Sequence, residues 1–100
     1  MGIPNNYAQF KETLMHSNPP ENWSEALRAL WYAAKDNWNA SHNIAQDLHT
    51  RMGSWIHAYL HRQEGDDWNA GYWYRQAGEP FPNKSLEDEL QHLIEVVLKS

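Results

Sequence analysis

The block Asp36-Asn37-Trp38-Asn39-Ala40 returns thirty residues later as Asp66-Asp67-Trp68-Asn69-Ala70. Sliding the chain by that interval aligns 27–48 with 57–78 without a gap, matching Leu30 to Leu60 and Gln46 to Gln76. An acidic or amide cap, then a Trp, then a small Ala after an apolar helical stretch predicts two antiparallel helices joined by a tight turn, used twice. On this reading the Asp caps the second helix of each unit, which explains Asp36 and Asp66 without catalysis.

The rest of the chain reads as helix as well. Tyr7, Phe10, Leu14 and Met15 recur at helical spacing and predict a helix over 5–16. Ser17-Asn18-Pro19-Pro20 ends it, and Asn18 with Glu21 three residues on predicts the next helix start. Asp36 or Asn37 caps a third helix to about Leu48, His49 to Gly53 reads as a turn, and a fourth helix follows from about Ser54 to Glu64. Gly65 and Gly78 stand where helix terminators belong. Asp66 or Asp67 caps the fifth helix, and GEPFPN at 78–83 is an irregular loop. Ser85 opens a last helix over about 85–98, its core face carried by Leu86, Leu90, Leu93, Ile94, Val97 and Leu98. The first-turn run Glu87-Asp88-Glu89 reads as a solvated face that complements the helix dipole. One hundred residues suffice for a single all-α domain of about six helices, with paired units near 22–48 and 54–78 between terminal helices. Six Trp and five Tyr let few side chains close its core.

Composition excludes several functions. Without Cys there is neither disulfide nor thiolate metal site, which fits a reducing compartment. The start MGIPNNYAQF lacks a basic-then-apolar secretory pattern, and no apolar run approaches the ~18 residues of a membrane span. A cytoplasmic protein with no membrane role is expected. A formal charge of −5, with eight scattered Lys and Arg, argues against a nucleic-acid partner.

Gly65 to Gly78, GDDWNAGYWYRQAG, resembles the second half of a Sel1-type tetratricopeptide-like repeat. The matching line A-x-x-W-Y-R-x-A falls on Ala70, Trp73, Tyr74, Arg75 and Ala77. The preceding helix lacks the Leu-Gly pair of that family, and the spacing is short for it. More broadly, residues 23–78 resemble small bacterial and fungal helical proteins sharing H-x-I-x-Q-D and I-H-A-x-L-H-R-x-E-G-D, here 42–47 and 56–66. That likeness implies an architecture and brings no activity. The repeat resemblance implies a module that binds a protein or peptide partner.

One polar constellation suggests chemistry. His57, His61 and Glu64 lie at i, i+4 and i+7, inside a stripe about 60° wide on one helix face. His42 and Gln46 are likewise i and i+4 on the preceding helix, which faces them if the two helices pack antiparallel. Three imidazoles, His42, His57 and His61, with a carboxylate suit a divalent metal such as zinc, or iron and nickel less selectively, with an open position for hydrolysis. HAYLH lacks the glutamate of the zinc-protease motif. The same residues also suit a metal-free acid–base site, or plain packing with hydrogen bonds to backbone, Gln46 or Asp66. Trp55, Tyr72 and Trp73 are candidates for an aromatic pocket, although such clusters commonly form core. His16, His49 and His92 read as surface residues.

Overall fold

The computed structural model describes residues 2–100. Its helices are α1 (Tyr7–Glu12), α2 (Glu25–Ala34), α3 (Trp38–Asp47), α4 (Arg51–Gln63), α5 (Asp67–Ala77) and α6 (Leu86–Lys99), with a 3₁₀ turn at Thr13–Met15 after α1. The fold is all-α, and there is no strand among the described residues. None of these helices is long and apolar enough to cross a membrane.

Helix α4 is the hub. Six consecutive residues, Trp55 to Leu60, are buried, so this segment needs neighbours on every side. It packs against α2, α3, α5 and α6. Ile56 and Leu60 are fully buried there, each contributing roughly 1.5–3 kcal/mol. Phe10 of α1 stacks on Trp23, and Trp31 Nε1 donates to the Thr13 carbonyl, which ties the N-terminal segment to α2.

Local chemistry moves several helix boundaries from those expected. Helix α2 begins after Ser24, whose Oγ accepts from Leu27 N, and not near Asn18. Pro20 disfavours helical geometry at Pro19, so a helix cannot start through that pair. Helix α4 begins at Arg51, capped by Thr50, so Gly53 lies inside its first turn and not in a loop. A Cβ at Gly53 would come within 2.0 Å of the Leu48 carbonyl oxygen, and glycine is there because the chain passes that close. The first helix is shorter than expected, tightening into the 3₁₀ turn at Thr13.

The repeated block itself needs a correction. Asn37, not Asp36, caps α3, accepting from Ala40 N, whereas Asp66 caps α5, accepting from Asn69 N. Asp36 has φ 59° and takes the left-handed position that Gly65, φ 89°, takes in the second turn. Asn37 N donates to the Tyr32 carbonyl, and Asp66 N donates to that of His61. The two turns therefore correspond at an interval of twenty-nine residues, one less than the sequence block (66 − 37 against 66 − 36). One residue is about 100° of helix rotation. Trp38 is accordingly half-buried against α4, and Trp68 is 80% exposed.

Candidate metal centre

The tight turns at 48–50 and 64–66 bring α3 and α5 to the two sides of α4. His42 on α3 meets His57 on α4 with their Nε2 atoms 3.0 Å apart. His61 stands one turn further along α4, its ring 4.9 Å from that of His57 and 5.6 Å from that of His42. One ring nitrogen from each of the three lies within 4.8 Å of the others. The antiparallel packing that would join the two i, i+4 pairs is therefore present for the histidines.

Each ring is held. Trp38 stacks on His42 at 4.6 Å with planes 11° apart, and Trp38 Nε1 is fixed by the Leu60 carbonyl at 2.7 Å. Trp73 of α5 stacks on His57 at 4.1 Å and 17°. Glu64, the C-terminal cap of α4, binds His61 Nδ1 through Oε2 at 2.7 Å. That contact orients the imidazole and leaves its Nε2 free. A carboxylate behind a histidine is the usual outer partner of a metal ligand.

Burial lowers the His57 pKa to about 4, helped by the neighbouring His42 and His61. His42 is lowered as well, first by burial and then by His61, with Glu64 opposing. Both rings are thus neutral near pH 7, the protonation state in which imidazole binds metal.

The other candidates separate. Gln46 is exposed and makes no hydrogen bond with the histidines. It lines an open cavity of about 510 Å³ beside His57, together with Thr50, Ser54, Trp73 and Gln76. Trp55 and Trp73 line different cavities, Trp55 the one beside Pro80, Phe81 and His92 and Trp73 the one beside Gln46 and His57. Trp55 is buried edge-on to His92 and donates to Glu89, while Tyr72 is 42% exposed and meets Trp73 edge-on. Asp66 lies within reach of His61 and Glu64, but both its oxygens serve Asn69 as the α5 cap.

Two features escape the sequence reading. Trp38 reads there as an apolar helix residue, although its i, i+4 relation to His42 is the signal that marks it as part of the site. Glu89 is no solvated residue: it is 2% exposed, and its oxygens accept from Tyr74 OH, Trp55 Nε1 and Arg62 NH1. Its place beside Leu86, Leu90 and Leu93 on the α6 stripe carried that information, which the flanking acidic residues masked.

No protein-family model, curated protein or solved structure matches the chain.

Proposed function

We propose that the protein binds a divalent transition metal, zinc foremost, through His42, His57 and His61. The carrying observation is the 3.0 Å approach of His42 Nε2 to His57 Nε2, with the third imidazole within reach. Two nitrogens bound to one tetrahedral zinc at about 2.0–2.1 Å stand roughly 3.3 Å apart, so small ring adjustments make the pair ligands. Without metal, one ring donates its proton to the other and the pair is satisfied as a hydrogen bond. Three neutral ligands leave the double charge on the ion and a fourth position for an exchangeable group, the arrangement in which zinc makes a bound water acidic. Glu64 acts behind His61 as its orienting carboxylate.

Calorimetric titration of tag-free, chelator-treated protein with zinc tests this. One ion per chain is expected, with binding abolished by His57→Ala and weakened roughly 10–100-fold by Glu64→Gln. Equal binding by wild type and His57→Ala would remove the reading.

A second reading, association with a protein partner through α5, is favoured by the 80% exposure of Trp68 beside the 42% exposed Tyr72. The resemblance of 65–78 to a Sel1-type repeat supports it, since it would make α2–α3 and α4–α5 two tetratricopeptide-like units presenting an open helix face.

A further inference from the structure

Helix α5 carries a glycine for which its own fold has no use. Gly71 sits mid-helix, where glycine weakens the helix. It is not among the glycines with positive φ, and a Cβ built on it meets nothing nearer than Arg75 Nη1 at 3.5 Å. Gly53, by contrast, is forced by a backbone contact, and Gly65 and Gly78 by left-handed turns.

The residues around Gly71 share its side of the helix. At 100° per residue Asp67, Gly71, Arg75, Trp68 and Tyr72 span about 140°. Next to it on the wheel, about 20–80° beyond Asp67, come Ala70, Tyr74 and Ala77, all buried in the core. Asp67 and Arg75 are exposed, as are both aromatics. The interval of the two turns places Asp67 and Gly71 where Trp38 and His42 stand on α3, the residues by which α3 meets α4. On α5 Asp67, Trp68, Tyr72 and Arg75 on that side are exposed, and Gly71 between them is half-buried.

We propose that this face binds the same face of a second copy of the chain, the two α5 helices lying antiparallel across a two-fold axis at Gly71. The stripe is complementary to itself. In such a pair the residue k places after Gly71 faces the residue k places before it, so Arg75 of each copy meets Asp67 of the other. Trp68 then lies against Tyr72 and the Arg75 guanidinium of the second copy, a pairing of the residue types that anchor interfaces. The missing Cβ lets the helix axes draw together at the crossing, and antiparallel dipoles favour the arrangement. An isologous contact of this kind closes at two copies.

This inference rests on the reading of α5 as a protein-binding face and fixes the partner; it involves no histidine, so it is tested in chelator. Sedimentation of the full chain across the micromolar range is expected to show a monomer–dimer equilibrium. Trp68→Ala and Gly71→Leu should each weaken association tenfold or more, with the helical fold of the monomer kept and its melting temperature no lower, that of Gly71→Leu being raised by the loss of a mid-helix glycine. Asp67→Arg and Arg75→Asp should each weaken it, and the double variant should recover it. A chain monomeric at every concentration, or a dimer indifferent to these changes, overturns the inference. Oxidative footprinting separates it from the parent reading. Trp68 protected in cell extract but reactive in pure protein at high concentration defeats the second copy alone, and Trp68 reactive in both defeats both.

Discussion

At Glu89 three donors converge on one buried carboxylate, and Arg62 supplies the compensating charge at 2.8 Å with only 16% of its side chain exposed. Burial and the hydrogen bond to Glu89 push the Tyr74 hydroxyl well above its ordinary range, so Tyr74 remains a donor across the accessible pH range. Removing the carboxylate strands a charge and two polar hydrogens. Glu89→Ala is therefore expected to cost about 3–5 kcal/mol in chemical denaturation, and a loss under about 1 kcal/mol would contradict the network. His57 makes a prediction with a sign. Its folded pKa, about 4, lies below the ordinary 6.5. Above 6.5 neither state is protonated and stability is unaffected. As pH falls from 6.5 toward 4 the unfolded chain takes a proton that the folded chain refuses, so stability declines over that window. In chelator the melting temperature should drop through this range, and His57→Gln should remove part of the drop. At this scale the histidines were legible because i, i+4 spacing survives any error in helix boundaries. Glu89 was not, because one buried acid inside an acidic run looks like its neighbours.

The α2–α3 and α4–α5 turns show how an element is set by one or two residues. Asp36 occupies a left-handed conformation that costs a residue with a Cβ. Asp36→Gly should raise stability by roughly 0.5–1 kcal/mol, while Asn37→Ala, which removes the α3 cap, should lower it by roughly 1 kcal/mol. Thermal melts of the two variants must move in opposite directions; a gain from Asn37→Ala would contradict the cap assignment. Gly53→Ala is expected to cost about 3 kcal/mol, because the Leu48 backbone cannot give way as a side-chain tip would. The helices themselves were legible from apolar periodicity and caps. The register of the repeated block was not, since a pattern match counts residues whereas a turn counts hydrogen bonds, and the two differ by one residue. That single step decides which Trp joins the histidines and which faces solvent.

In the molecule as a whole, α4 is covered by four other helices, and its two histidines look out through the seam between α3 and α5. The fold class followed from composition and periodicity, but the seam is a property of packing. Trp38 reaches α4 from one helix and Trp73 from another, at positions no local spacing relates. Clamped rings and a fixed His61–Glu64 pair mean that, on the proposed metal-binding reading, an ion would meet side chains already arranged and binding would not be offset by much ordering. The most direct test is X-ray absorption at the zinc edge of the loaded, tag-free protein. Three imidazole nitrogens at about 2.0–2.1 Å and one further light-atom ligand are expected, and His57→Ala treated alike should retain no such zinc. A spectrum of oxygen ligands alone, or one unchanged by that substitution, would contradict a centre built from His42, His57 and His61.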